Sequence, residues 1–211
     1  MALKSTKKNK VVKAWMNAHV NDPWVREATR RGYRSRAAFK LIELAERDHL
    51  LRPGMRAVDL GAAPGSWTQV LRERLGPKAT IVAIDLLPMD PVAGVRLVQA
   101  DFREEGGLAA LDAALGEGKV DLVVSDMSPN LSGVDAADQA RAVHLGELAL
   151  DFAEARLQPG GDLVVKAFQG EGFAEFRRAL EARFTKVYVR KPKASRAGSR
   201  EVYLVGKALK R

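Results

Sequence analysis

The chain has no cysteine and only three histidines in 211 residues, His19, His49 and His144. Disulfides and thiolate metal sites are therefore excluded, and the histidines stand too far apart to suggest a metal site by spacing. A long apolar run is also missing. The longest stretch without a charged residue is Leu60 to Leu71, twelve residues, against the roughly 20 that a membrane helix needs. The opening MALKSTKKNK carries charge with no apolar core or small-residue cleavage site behind it. No secretory signal and no membrane partner are expected, and a cytoplasmic location is the default. What the chain does have is 46% hydrophobic residues, enough to bury a sizeable core at this length.

Charge is distributed unevenly. Residues 1 to 40 hold eleven Lys/Arg against Asp22 and Glu27, and residues 183 to 211 hold ten against Glu201 alone. The stretch between carries fourteen basic and twenty-three acidic residues, so two basic ends of +9 enclose a body of −9 within a net charge of +9. Solubility alone explains one Lys-rich terminus; if the fold brings both ends to one face they form a patch for a polyanion, with nucleic acid the natural partner. Trp15, Trp24, Tyr33 and Phe39 are interleaved with the first basic segment. They read either as stacking platforms for bases or as anchors of a packed N-terminal helix, the second being the better reading for any one of them.

The periodicity alternates. Ser35 is placed to cap a helix running to about His49, with Ala38, Leu41, Ile42 and Ala45 as its apolar stripe and Lys40 off the stripe's centre. Strands are expected at Arg56 to Leu60, Thr80 to Asp85, Arg96 to Ala100, Asp121 to Ser125, Asp162 to Lys166, Lys186 to Arg190 and Val202 to Val205. Helical patterns fall near 66 to 75, 104 to 115, 136 to 157 and 173 to 183. This predicts an α/β fold, a seven-stranded mostly parallel sheet with helices on both faces. The last two strands are joined only by the loop KPKASRAGSR, which is too short for a helical crossover, so that pair should be antiparallel.

In such a sheet ligands bind beyond the carboxyl ends of the strands, and the loop after the first strand is the usual site. Here it reads GAAPG. Gly61 and Gly65 permit positive φ and close approach of backbone to a ligand, and Ser66 is placed to cap the next helix. A dinucleotide loop would read GxGxxG with a pyrophosphate on the helix N-terminus. This loop has Pro64 instead, which removes a donor and suits a ligand held by its amino acid and nucleoside parts. Asp85, at the end of the second strand, can accept hydrogen bonds from two ribose hydroxyls, and Asp101, closing the third, can reach an adenine amino group. A nucleoside pocket without a phosphate cradle fits S-adenosylmethionine.

In order and spacing VDLGAAPGSW, AIDLLPMDPVAGV, QADFR, VVSDMSPNLSG, VVKAFQG and SREVYLV resemble the FtsJ-type heat-shock methyltransferases of ribosomal RNA, over nearly the whole chain. The phrases GYRSRAAFKL, DLLPMDP and SDMSPN are similar to the bacterial branch acting on the large subunit. The resemblance implies a Rossmann-like class I S-adenosylmethionine-dependent methyltransferase domain over 35–211, preceded by a basic RNA-binding extension at 1–34. It implies cofactor contacts at Gly65, Trp67, Asp85, Asp101 and Asp126, and a catalytic tetrad of Lys40, Asp126, Lys166 and Glu201. The implied acceptor is a uridine 2′-hydroxyl of 23S rRNA in the large ribosomal subunit during late assembly, with a monomeric enzyme and no metal. Ser66 departs from the pattern, which usually shows a second glycine there.

These residues suit an in-line displacement in which the protein aligns reactants and manages one proton, because a sulfonium methyl is already activated. Two roles stand for Lys166: a general base, or a fixed group that orients the attacking oxygen. His144 reads as a surface or packing residue, and Met127 as a wall of the adenine pocket or simple core. Ser128-Pro129-Asn130 replaces the (D/N)PP(Y/F) sequence of amino-directed methyltransferases, which favours a hydroxyl acceptor. The rivals are an NAD-dependent oxidoreductase, a 2′-O-methyltransferase acting on another RNA such as tRNA, and a noncatalytic RNA-binding assembly factor.

Overall fold

A computed structural model describes residues 22–130, 132–196 and 198–211. Trp15, His19 and most of the basic extension therefore lie outside the described residues. In chain order the elements are α1 (Pro23–Arg31), α2 (Ala38–Asp48), β1 (Arg56–Leu60), α3 (Ser66–Leu75), β2 (Thr80–Asp85), β3 (Arg96–Gln99) and α4 (Glu105–Leu115). They continue with β4 (Val120–Ser125), α5 (Asp135–Arg156), β5 (Leu157–Phe168), α6 (Phe173–Arg183), β6 (Phe184–Arg190) and β7 (Glu201–Leu209).

The described strands form one sheet in the order β3-β2-β1-β4-β5-β7-β6. β1 pairs in parallel with β2 and β4, β2 with β3, and β4 with β5. β7 alone runs the other way, antiparallel to both β5 and β6. The central strands are almost continuously apolar because both faces are covered. On one face Leu111, Leu150, Phe152 and Leu180, from α4, α5 and α6, bury Val58, Val82, Val123 and Val165. On the other Leu41, Leu44, Trp67 and Leu71, from α2 and α3, bury Ala57, Ile81, Val124 and Tyr203. No described helix is long and apolar enough to cross a membrane.

Several local expectations shift. β5 is longer than Asp162 to Lys166, because Leu157 to Gly161 also run along β4 past a register irregularity at Val120/Leu122. β3 stops at Gln99, which leaves Asp101 in the following turn rather than on the strand. Ser35 does not cap α2: that helix starts at Ala38 behind Ala37, while the Ser35 hydroxyl accepts from Ala37 N at 3.2 Å and bonds Ser66 Oγ at 2.7 Å. Ser66 is likewise no cap but the first residue of α3, preceded by Gly65 at φ 104°.

The described aromatics of the first basic segment, Trp24, Tyr33 and Phe39, are packed together. Phe39 lies 5.2 Å from Trp24 and 5.8 Å from Tyr33, ring centre to ring centre. α1 forms because Asp22 caps it, accepting from Trp24 N at 2.8 Å, with Pro23 at the first helical position and Gly32 in the left-handed region at its end. Ala28 and Phe39 share a small apolar cluster with Ala194 from the β6–β7 loop. Arg36 ties both ends together, pairing with Asp22 and donating to Ala194 O. The two basic segments thus meet, leaving Arg26, Arg30, Arg31, Lys191, Lys193, Arg196 and Arg200 exposed.

Candidate active site

The glycine loop, Asp85 and the lysine–carboxylate pairs gather at the carboxyl edge of the sheet. After β1 the chain turns through Gly61 (φ 76°) and Gly65 (φ 104°), and neither position accepts a side chain. A Cβ at Gly61 would stand 2.5 Å from Met127 Cγ, and one at Gly65 would stand 2.3 Å from Arg34 Nη1. The loop is held from two sides. Asp85, ending β2, accepts from Ala63 N at 2.9 Å and from Leu87 N at 2.7 Å, which fixes its carboxylate beside the loop. Arg34 donates to the carbonyls of Pro64 (3.0 Å), Asp90 (2.7 Å) and Pro91 (2.9 Å), stapling the β1–α3 loop to the one after β2.

Beneath the loop lies Asp59 on β1, fully buried. Thr68 Oγ1 donates to its Oδ2 at 2.6 Å, and no described group reaches Oδ1. Burial raises its carboxyl to about 7; the Thr68 hydrogen bond opposes the rise, and the charges of Asp126 and Asp85 reinforce it.

Trp67 and Asp101 are placed differently from what a direct side-chain contact would need. The Trp67 ring is 2% exposed, packs on Tyr203 at 5.6 Å and donates from Nε1 to Ala37 O. What Trp67 can offer a ligand is the backbone of the first turn of α3. Asp101 is turned onto Arg103, which donates to it from the backbone N (2.9 Å), Nε (2.9 Å) and Nη2 (2.6 Å), and these bonds hold its carboxyl down to about 2.

Across the edge from the glycine loop, two lysine–carboxylate pairs share one cluster. Lys166 Nζ lies 2.8 Å from Asp126 Oδ1 and donates to Asp126 O at 2.7 Å. Lys40 Nζ lies 2.7 Å from Glu201 Oε1. Tyr203 joins them: its hydroxyl donates to Asp126 Oδ1 at 2.6 Å and accepts from Lys40 Nζ at 3.2 Å. Ser195 Oγ adds a donor to Glu201 at 2.9 Å. Side-chain exposures of 8% for Lys166, 12% for Lys40, 13% for Glu201 and 18% for Asp126 leave a narrow opening to solvent.

Sheet register assembles this cluster. Lys166 on β5 stands opposite Tyr203 on antiparallel β7, and Phe168 stands opposite Glu201. Residues two apart share a face of a strand, so Glu201 and Tyr203 come to Lys166 on one side. Asp126 follows β4, the parallel neighbour of β5, and Lys40 descends from α2, which covers that face.

Burial pushes the Asp126 carboxyl up. The ammonium groups of Lys166 and Lys40, with hydrogen bonds from Lys166 and Tyr203, outweigh that and hold it below the ordinary carboxylate range. Burial pushes the Tyr203 phenol well above its usual value, as do the Asp126 and Glu201 charges, so it stays a neutral donor. The structure thus brings Lys40, Asp126, Lys166 and Glu201 into one hydrogen-bonded set. Sequence reasoning missed Tyr203, Ser195 and Arg34; of these, Tyr203 had a signal, its two-residue spacing from Glu201 in EVY.

A larger hollow of about 610 Å³, lined by Ile42, His49, Leu51, Arg52 and Arg74, sits at the opposite, amino edge, where α2 and α3 end. It is unconnected to this chemistry. No cluster of three or more metal-ligating side chains occurs among the described residues.

The sheet order with a reversed seventh strand, the glycine loop after β1 and an acidic residue closing β2 define a Rossmann-like methyltransferase fold. An FtsJ-like methyltransferase family model matches residues 33–209. The ribosomal RNA large subunit methyltransferase E of Azoarcus sp. is 59% identical over 200 residues, 95% of this chain and 98% of its own. That of Nitrosospira multiformis is 56% identical over 200 residues, 95% and 97% of the two chains. A crystal structure described as a ribosomal RNA methyltransferase from Plasmodium falciparum superposes with a TM-score of 0.75 at 32% identity, covering 84% of this chain and 98% of that one. The protein belongs to the FtsJ-like methyltransferase family.

Proposed function

We propose that this protein methylates the ribose 2′-hydroxyl of a uridine in 23S rRNA, using S-adenosylmethionine and taking the large ribosomal subunit in late assembly as substrate. The observation that carries this reading is the Lys40–Glu201 and Lys166–Asp126 pairs joined through the Tyr203 hydroxyl, beside a loop shaped for a small cofactor. The names of the relatives, which specify large-subunit ribosomal RNA, support the substrate.

The residues present suit the cofactor. Gly61 and Gly65 give the loop the left-handed turns that let it lie close against Met127 and Arg34, and Asp85 keeps a fixed carboxylate with lone pairs free for ribose hydroxyls. Asp126 belongs both to this set and to the lysine cluster, Trp67 contributes backbone, and the Asp101 carboxylate contributes on release from Arg103. S-adenosylmethionine, when bound, supplies a methyl group activated by its sulfonium charge, so no metal is called for.

Lys166 acts as an orienting cation. Two of its three N–H bonds go to Asp126, and the third is left for the attacking 2′-oxygen. Asp126 locks that ammonium in place, and Tyr203 carries the constraint to Lys40 and Glu201. The hydroxyl becomes strongly acidic as its oxygen takes the methyl group, so its proton passes to water at the opening of the site without a strong base. The basic surface around Arg26, Arg31, Lys193 and Arg196 supplies the electrostatic grip on RNA, and the charge of the extension over 1–34 adds to it. The protein works as a monomer in the cytoplasm.

Transfer of tritiated methyl groups to hypomethylated large subunits tests this. Wild type should label them, whereas Asp126→Ala and Lys166→Ala should bind cofactor weakly or normally and label them at least about a hundredfold more slowly. Tight cofactor binding by wild type without transfer would overturn the reading in favour of a noncatalytic assembly factor.

A further inference from the structure

Beside the tetrad lies a cavity of about 290 Å³ that the proposed chemistry leaves unused. Its lining comes from Pro129 and Gly133 between β4 and α5, from Asp135, Asp138, Gln139 and Ala142 on α5, from Phe168 at the end of β5, and from Ser199 and Arg200 just before β7. Phe168 follows Lys166 by two residues, about 7 Å of strand, and Arg200 directly precedes Glu201. The cavity thus opens within one nucleotide's reach of the Lys166 ammonium.

Its walls are shaped before any ligand arrives. Asp138 accepts from Ser132 N (2.8 Å), Ser132 Oγ (2.9 Å) and Gly133 N (3.0 Å), and it pairs with Arg141, which fixes Ser132 and Gly133 against the start of α5. Arg200 reaches toward Asp135 at 3.7 Å across the mouth. Gln139 is 8% exposed, and its Nε2 donates at 3.0 Å to both Phe168 O and Glu171 O. Those two carbonyls fix which way the amide faces, so Oε1 is left as an acceptor, and no donor among the described residues reaches it.

We propose that this cavity receives the base of the acceptor nucleotide, with Gln139 Oε1 accepting the ring N–H at its Watson–Crick edge. The inference rests on the ribose-methylation reading and adds a base-reading subsite to it. A small pocket that combines apolar wall from Pro129, Ala142 and Phe168 with an amide acceptor oriented by its own hydrogen bonds suits an unstacked base. An acceptor there selects a base carrying a ring N–H, as uracil does through N3, and disfavours a base with a ring nitrogen lone pair at that place. An acceptor that the wrong base covers and leaves unpaired is the physical source of the discrimination.

The test uses full-length protein and large subunits reconstituted with uridine, cytidine or 3-methyluridine at the acceptor position. Wild type should lose roughly tenfold or more in kcat/KM on cytidine and on 3-methyluridine. Ala142→Leu, which fills the cavity without removing a polar group, should lower kcat/KM on uridine by about tenfold while leaving S-adenosylmethionine affinity and the thermal midpoint near wild type. Gln139→Ala should erase the difference between uridine and 3-methyluridine. Wild-type kinetics in Ala142→Leu, or full discrimination retained by Gln139→Ala, would overturn the subsite while leaving ribose methylation intact. Absence of methyl transfer by wild type would instead remove the underlying reading, and the subsite with it.

Discussion

Replacing Tyr203 by Phe removes one oxygen and keeps the ring, so the Trp67 contact and the packing under α2 and α3 stay in place. What is lost is a 2.6 Å donation to the Asp126 carboxylate and a 3.2 Å acceptance from the Lys40 ammonium, both at a site with little solvent. A hydrogen bond to a charged partner contributes about 1.5–3 kcal/mol. Lys40 retains Glu201 and Asp126 retains Lys166, so the loss should fall within one such bond, about 2 kcal/mol of folding stability. The sign with pH is defined. Asp126 is held below its ordinary value, so its contribution is present above that value and fades as pH falls through the lower, folded-state one. Without the tyrosine its carboxyl is less depressed, so the contribution is smaller and its loss is complete at a higher pH. Urea unfolding at pH 7 and at pH 4 reads the stability, and single-turnover methyl transfer reads the catalytic effect, expected as a drop of roughly tenfold or more. A Tyr203→Phe protein with a wild-type urea midpoint and wild-type turnover would show that the two ion pairs act separately and that the link between them is incidental.

Three further outcomes are expected. Asp59→Asn keeps an acceptor for Thr68 and removes a carboxyl raised from 3.8 to about 7, a cost in the wild type of at most about 4 kcal/mol at pH 8. Because a raised value favours folding below 3.8 and that advantage is lost as pH rises through about 7, the variant should gain on wild type in denaturant at pH 8 and show little gain at pH 4; equal midpoints at pH 8 would refute the buried-charge argument. Arg34→Met releases three carbonyls that tie the glycine loop to the loop after β2, so calorimetric titration should show S-adenosylmethionine affinity weakened about tenfold with the fold intact; an unchanged Kd would mean the loop is held without it. Lys166→Arg keeps a cation, so reduced but measurable transfer with an unchanged pH profile is expected from an orienting role, and complete loss or a displaced basic limb would restore the general base.

The fold was legible because parallel strands covered on both faces read as short apolar runs separated by helical periodicity, as in RAVDL, TIVAID and VDLVVS. Helix starts were less so: Ser35 and Ser66 look like caps in sequence, yet their hydroxyls bond each other across thirty-one positions, a contact no local rule contains. The candidate site was only partly visible for the same reason. Glycines and acids at strand ends announce a ligand edge, but Lys40 and Glu201 come together only when α2 covers the sheet and β7 inserts between β5 and β6. Tyr203 stood unmarked within the expected strand Val202 to Val205, and only its register opposite Lys166 places the hydroxyl between two charges. Arg34 makes its contacts as far away as Pro91, and Asp101 is turned aside by an arginine two residues on.

The most direct measurement is mass-spectrometric mapping of rRNA modifications in large subunits from cells with and without this protein, repeated after incubating the unmodified subunits with pure protein and S-adenosylmethionine. One ribose-methylated uridine in 23S rRNA should be absent without the protein and restored by it, and should remain absent with Lys166→Ala. A methyl group on a base, or an unchanged modification map, would contradict ribose methylation by this site.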